Sequence, residues 1–317
     1  MESMKSHKKC WVITEGLIGT ENQCVGVANA LGIPYEVKRI ALNQPWKSLS
    51  PYLGLEGHHS FSPALKPPWP DILIASGRKS IAASKYIKKM SGDATFSVHI
   101  QDPRVSSKHF DLVAVPRHDP LRGDNVIITH ASPNKITAAL LKSAKEQFSF
   151  LEKYPGPRFA VLIGGSSKAY KITKKITNDL VQTLSHINGS LMITCSRRTG
   201  TDNQKTLENA LRDDANYFWN EKEENPYLGL LAWADFLLVT ADSASMISEC
   251  CSTGKPVYMI DLEGGARRIA SLHEHLISYG ALKRLNDTNG AFEPYDYKPL
   301  NDAQYVAQEI KKRSGLF

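Results

Sequence analysis

The sequence predicts an α/β protein built from two doubly wound domains that face each other across a cleft. Three observations carry this expectation. Short apolar runs of strand length alternate with helix-length segments along the whole chain, the pattern of βαβ units on a parallel sheet. The alternation starts afresh after Tyr154-Pro155-Gly156-Pro157, which reads as an interdomain linker. The length of 317 residues suits two domains of ~100–200 residues each. The expected domains are 1–153 and 158–317, with a last helix near 302–313 folding back on the first.

With 42% hydrophobic and 22% charged residues, the composition is that of an ordinary soluble globular protein with sizeable cores. The formal net charge of +7 suits an anionic partner: nucleic acid, a membrane surface or a phosphorylated ligand. Much of the excess sits near the ends, at Lys5, Lys8, Lys9, Lys311, Lys312 and Arg313, where a solvated basic surface is the simpler explanation. No basic-aromatic motif or helix-turn-helix pattern favours nucleic acid. Cys10, Cys24, Cys195, Cys250 and Cys251 form neither a CxxC pair nor a metal spacing, which suits a reducing compartment and implies no structural metal. The N-terminal apolar run is short and broken by Glu15, so no signal peptide is read. No apolar run approaches the ~20 residues of a membrane span. The expectation is a cytoplasmic protein, with peripheral contact to a membrane surface left open.

Cys10–Thr14 (CWVIT) is the first strand, rich in β-branched and aromatic residues. A glycine-bearing loop follows, in which Gly16 and Gly19 permit close backbone approach. The next helix is expected to open with the amides of Asn22 and Gln23 and to stop at Gly32. This is not GxGxxG, so a dinucleotide fingerprint is not supported. Tyr35–Ile40 is the second strand. Residues 43–70, rich in Pro, Ser, Gly and His, form a long surface loop. Asp71–Ala75 is a strand, and Ser76-Gly77-Arg78-Lys79-Ser80 opens a helix whose start suits an anion or simply solvent. Phe96–Ile100 precedes Gln101-Asp102-Pro103-Arg104, and Leu112–Val115 precedes Pro116-Arg117-His118-Asp119. Loops after parallel strands share one rim. Gly16, Asn22, Gln23, Arg78, Gln101 and Arg104 are therefore the cleft candidates. His99, His118 and Asp119 are candidate acid–base groups, although for a single histidine the surface or structural reading is the stronger one. Asn125–Thr129 and a helix from 135 to 153 complete this half.

In the second half, Arg158–Ile163 leads into Gly164-Gly165-Ser166-Ser167 and a helix over 173–187. Ser190–Thr194 ends in Cys195-Ser196-Arg197-Arg198-Thr199, followed by a helix over 202–211. Ala215–Trp219 ends at Asn220, and 225–234 is a short helix. Asp235–Thr240 is a strand, then Asp242 or Ser243 caps a helix over Ser243–Thr253, stopped by Gly254 and Pro256. Pro256–Asp261 is the next strand. Such a helix start, carrying Asp242, Ser243, Ser245 and Met246, sits at the carboxyl edge of a parallel sheet and favours a phosphate. Glu249 lies about two turns further along. Gly264-Gly265 and Arg267-Arg268 precede a helix through Tyr279, and 286–301 is a polar loop.

The motifs IGGSS (163–167), SRRT (196–199), NPYLGLLAWAD (225–235) and TADSASMISECCSTGKPV (240–257) occur with GLIGTENQ, SGRKS, HIQDPR and PRHD in the first half. Together they resemble the "elongated mitochondria" family of mitochondrial fission proteins and their bacterial homologues, over nearly the whole chain. The resemblance implies a fold similar to the GT-B glycosyltransferases, with two Rossmann-like domains. The first domain would lie on the acceptor side and the second on the donor side. It further implies that Gly164, Gly165, Ser166 and Ser167 surround a donor diphosphate together with Ser243–Met246. Glu249 would accept hydrogen bonds from ribose hydroxyls, Arg197 and Arg198 would offset phosphate charge, and Asn220 and Tyr217 would flank the base. The first loop departs from the pattern: Glu15-Gly16 stands where Asp-Gly is common, which alters the reach of any acid–base carboxylate there.

Three functions are compatible with these residues. One is a glycosyltransferase using a nucleotide-diphosphate sugar, with no metal or cofactor and a cell-envelope or lipid-linked acceptor. Another is a nucleotide-sugar epimerase on the same fold. The third is a non-catalytic scaffold that recruits a membrane-remodelling partner. Glu15, His99, His118 and Asp119 compete as the base.

Overall fold

The computed structural model describes residues 8–52, 55–288 and 290–317. Lys5 and part of the 43–70 loop lie outside them. The chain divides into two units, one made of Met1–Lys135 and Asn301–Phe317, the other of Ile136–Leu300.

The first unit begins with β1 (Cys10–Thr14), α1 (Ile18–Leu31) and β2 (Tyr35–Arg39). A small antiparallel ribbon, β3 (Ala41–Leu42) with β4 (Phe61–Ser62), flanks the short α2 (Trp46–Leu49). Then come β5 (Ile72–Ser76), α3 (Ser80–Met90), β6 (Phe96–Ile100), β7 (Leu112–Pro116) and β8 (Val126–Thr129). The sheet order is β2-β1-β5-β6-β7-β8, all parallel. β1, β5 and β7 are buried throughout, as expected of near-continuous apolar strands covered on both faces. One boundary differs from the sequence expectation. Glu21 N donates to Leu17 O at 2.9 Å, so the first turn of α1 closes at Ile18. Gly19, Asn22 and Gln23 thus sit inside the helix rather than ahead of it.

The second unit opens with α4 (Ala138–Gln147), whose Thr137 cap accepts from Leu140 N. The single helix expected over 135–153 breaks at Phe148 (φ −105, ψ 38) into a separate 3-10 turn, Ser149–Lys153. There follow β9 (Arg158–Ile163), β10 (Tyr170–Lys171), α5 (Lys174–Ser185), β11 (Ser190–Cys195), α6 (Thr201–Leu211), β12 (Tyr217–Phe218), α7 (Tyr227–Trp233) and β13 (Phe236–Thr240). The unit ends with α8 (Ala244–Cys251), β14 (Val257–Ile260), β15 (Glu263–Gly264), α9 (Arg267–Tyr279) and β16 (Lys283–Arg284). Its sheet order is β12-β11-β9-β13-β14-β16, again all parallel. α4 packs on α7, so the division between units falls at 135/136 and the Tyr154–Pro157 segment lies within the second unit.

The last helix, α10 (Asp302–Ser314), belongs to the first unit. Its Val306, Ala307 and Ile310 share a core with Cys24, Val27 and Leu31 of α1. The Asp302 carboxylate accepts from His130 N and Ala131 N, each at 2.9 Å. Among the described residues, no helix is long and apolar enough to cross a membrane.

Candidate functional site

In the second sheet the direction of strand addition reverses between β9 and β13, its first and fourth main strands. The loops leaving their carboxyl ends therefore part to either side, which opens a crevice at that edge. Gly164 and Gly165 leave β9, and Ala241-Asp242 leaves β13. Side chains tie these turns together. Gly164 N donates to Thr240 Oγ1 at 2.7 Å, and Thr240 Oγ1 donates to Asp242 Oδ1 at 2.7 Å. Gly165 N donates to Asp242 Oδ2 at 3.1 Å. The turn after β11 joins them: Ser166 N donates to Arg198 O at 3.0 Å, and Thr199 Oγ1 donates to Gly164 O. A Cβ at Gly164 would overlap the Asp242 carboxylate, and one at Gly165 would overlap the Arg198–Thr199 backbone. Glycine is what lets the three turns meet.

Asp242 has a fully buried side chain, 2.7 Å from the half-exposed Arg198 guanidinium. Its negative charge is thus offset within the protein at the start of α8. Ser243 caps that helix, its Oγ accepting from Met246 N at 3.3 Å. Ser245 and Met246 are half-buried in its first turn. Arg197, the neighbour of Arg198, is exposed and has no hydrogen-bond or ion-pair partner among the described residues. The Ser166 and Ser167 hydroxyls accept from backbone N–H groups of 169–172 and so shape their own loop.

Glu249, two turns into α8, is only 5% exposed. Tyr227, the first residue of α7, donates its O–H to Glu249 Oε2 at 2.6 Å. Asn225 Oδ1 accepts from Tyr227 N at 3.0 Å. At the other end of α7, Lys255 Nζ donates to the carbonyls of Leu231, Ala232 and Ala234 at 2.6–2.8 Å. Burial pulls the Lys255 pKa down to about 8. Asn220 is half-buried, with its Oδ1 accepting from Lys222 N. Tyr217 packs on Phe150 and Tyr154, with ring centroids 5.5 and 6.0 Å away, and burial raises its hydroxyl pKa to about 12.

In the first unit, Glu15 is ion-paired with Lys79 at 3.1 Å and accepts from Lys79 N at 3.0 Å. Gly16 (φ +80) donates its N–H to Thr14 Oγ1 at 2.6 Å. Gln101 Nε2 donates to Gln23 Oε1 at 2.9 Å. Gln101 (φ +79) and Arg104 (φ +58) bracket Asp102-Pro103 in the left-handed region, which costs of order 1 kcal/mol at each non-glycine residue. Arg104 is exposed beside Asp102, and the Arg78 guanidinium lies 5.7 Å from the Tyr52 ring. His118 Nε2 is 3.9 Å from Asp119 Oδ1, both side chains nearly fully buried. His99 corrects an expectation. It is 1% exposed in the middle of the sheet, its ring tilted against Phe110 at a centroid distance of 4.9 Å, and burial drives its pKa down to about 3. It is a neutral core residue and not an acid–base group at the rim.

The family model described as mitochondrial fission ELM1 matches residues 18–314. The chain belongs to the mitochondrial fission ELM1 family. The Arabidopsis thaliana mitochondrial fission protein ELM1 is 33% identical over 272 residues, an alignment covering 77% of this chain; the chain spans 64% of that protein's length. Two solved structures show the fold. UDP-GlcNAc 2-epimerase from Methanocaldococcus jannaschii superposes with a TM-score of 0.60 at 11% identity, covering 96% of this chain and 99% of the epimerase. Acinetobacter baumannii MurG gives 0.53 at 14% identity, covering 96% and 99%. Both have the GT-B fold, and this ELM1-family chain shares it.

The three second-half turns singled out from sequence do come together in this ELM1-family chain. The pairing within them was not legible. Arg198 rather than Arg197 reaches Asp242, because a tight turn sends adjacent side chains in different directions. Thr199, Thr240 and Tyr227 went unnoticed, since a hydroxyl in a strand end or helix start carries no spacing signal. The Glu21–Arg39 pair, bidentate at 2.6 and 2.8 Å, was missed for the same reason. It holds the Glu21 carboxyl below the usual carboxylate range.

Proposed function

We propose that the second unit binds a nucleotide-diphosphate sugar and that the protein is a glycosyltransferase acting from it. The observation that carries this reading is the convergence of the β9, β11 and β13 turns beside the start of α8. The start of α8 at Ser243–Met246, with the Gly164–Ser167 turn, suits the diphosphate. Arg197, exposed and unpaired among the described residues, offsets its charge. Arg198 and Asp242 brace the turns. Glu249 accepts from the ribose, and Asn220 lies toward the base. Tyr217 has no part in that pocket, since it packs on Phe150 and Tyr154.

In transfer, the bond from the anomeric carbon to the phosphate oxygen breaks and one to an acceptor oxygen forms. The acceptor's proton passes to a base, and the nucleoside diphosphate leaves with the bonding electrons. The first unit supplies the acceptor side, with Gly16, Gly19, Asn22, Arg78, Gln101 and Arg104 as its polar surface and the buried Gln23 behind Gln101. Glu15 or the His118–Asp119 pair serves as base. The acceptor is a cell-envelope or lipid-linked glycan met at a membrane surface. An epimerase would use the same donor contacts, and product analysis separates the two.

Calorimetric titration of nucleoside diphosphates and their sugars into wild type, Glu249→Ala and Arg197→Ala tests the reading. One nucleotide is expected to bind selectively. Each variant should weaken it by about 10-fold or more, the worth of a charge-assisted hydrogen bond. A folded wild type that binds none of them excludes the transferase and the epimerase. That result favours the second reading, a fission-type scaffold that recruits a membrane-remodelling partner, which the name of the Arabidopsis relative supports.

A further inference from the structure

We infer that the carboxyl edge of the first sheet is a membrane-docking surface, on which Leu17, Ile18, Leu49 and Tyr52 enter a bilayer while Lys47 and Arg78 meet anionic lipid headgroups. This rests on the reading above for its setting, a membrane surface, and deepens it by naming the residues that touch the lipid.

Exposed apolar side chains gather at this edge. Leu17 is 60% exposed, Ile18 70%, Leu49 49% and Tyr52 68%. Such a patch marks contact with a protein or a membrane. The four share one edge because β2, β1 and β5 are parallel neighbours and the segments that follow them touch. Glu15, after β1, pairs with Lys79, after β5, at 3.1 Å. Arg39, at the end of β2, pairs with Glu21 of α1 at 2.6 Å. The Arg78 guanidinium lies 5.7 Å from the Tyr52 ring. Ordered structure carries these side chains. Leu17 O accepts from Glu21 N in the first turn of α1, and Leu49 O accepts from Tyr52 N at 3.0 Å. Trp46, the first residue of α2, packs against the core that holds Leu42 and Phe61.

Charge selects the partner. Glu15 and Glu21 are the acids of 15–21, and no acid lies in 40–52 or 76–80. Both are offset by the pairs just described, whereas Lys47 and Arg78 are exposed and leave the edge net positive. A second copy of this chain on the same patch would set these cations against their own kind, since a two-fold interface brings like residues together. An anionic bilayer offers the opposite charge. A tyrosine ring beside a cation suits the headgroup level, and aliphatic tips suit the acyl boundary beneath it.

The test is co-sedimentation of the full chain with sucrose-loaded vesicles, one set of phosphatidylcholine alone and one of phosphatidylcholine mixed with phosphatidylglycerol. Wild type should bind the anionic vesicles, and less so as salt is raised. Leu17→Ser combined with Ile18→Ser should weaken that binding by about 10-fold or more, through lost apolar burial. Arg78→Gln should weaken it by about 5-fold, the worth of one cation at such a surface. Phe150→Ser removes an exposed ring of the second unit and should bind as wild type does. A folded wild type that sediments with neither vesicle overturns the inference. So does an unaltered affinity in the double variant, or an equal loss in Phe150→Ser. A dimer in light scattering that the double variant dissolves gives the patch to a second copy and overturns it too. Should the double variant fail to fold, Tyr52→Ser decides in its place, and an unaltered affinity there overturns the inference. Nucleotide titration fails separately: a chain that binds nucleotide but no vesicle loses this inference alone, and one that binds vesicles but no nucleotide loses the transferase alone.

Discussion

Gly165 leaves no room for a side chain, because a Cβ would enter the backbone of Arg198 and Thr199. Gly57, by contrast, faces open space at an ordinary φ of −128. Gly165→Ala should therefore lose about 1–3 kcal/mol of stability, the usual range for overpacking, and Gly57→Ala should lie within about 0.5 kcal/mol of wild type. Urea unfolding of the two variants checks this, and equal stabilities would mean that the three turns do not meet as described. The glycine pair itself was legible, since two glycines after an apolar strand mark a close approach. What it approaches was not, because Arg198 and Asp242 lie more than thirty residues away in sequence. His99 shows the opposite failure. A histidine near the end of a strand reads as a rim residue, yet strand alternation turns it onto the face occupied by Phe110.

α7 owes its fixed position to its two ends. In the sequence Lys255 lies between Gly254 and Pro256, the stop after α8, where a lysine ordinarily points to solvent. It instead caps a different helix, satisfying three carbonyls that the last turn of α7 leaves without intrahelical partners. Lys255→Met keeps the aliphatic stem and removes the donors, so it should cost about 2 kcal/mol through carbonyls left unsatisfied. Thermal unfolding checks this, and an unchanged midpoint would assign the end of α7 to other contacts. The strands and α8 were legible as elements because periodicity and caps are local. The break at Phe148 was not, since a tertiary contact decides it: Phe148 packs where Gly229 of α7 leaves space.

At the level of the molecule, two neutral buried histidines contribute to the response to acid. Burial lowers the pKa of His99 to about 3 and of His273 to about 4, against ~6.5 in an unfolded chain. Their folded-state values are depressed, so the unfolded state binds more protons at mildly acidic pH. The stability they contribute is complete above pH ~6.5 and is lost as pH falls toward 4 and then 3. Each should add about 1.4 kcal/mol per pH unit to the slope in that window. His99→Leu should flatten the slope between pH 6 and 4.5 by that amount in urea titrations, and an unaltered slope would contradict its burial as a neutral group. The alternating α/β pattern announced two sheets, but proline and glycine content at 154–157 could not say which core α4 joins. α10 settles a further matter of order. The helix that covers α1 is supplied by residues 302–314, after the whole of the other unit has been spelled out. During synthesis, then, the sheet of the first unit leaves the ribosome before the second unit does, and the face that α10 covers waits until residues 302–314 have followed.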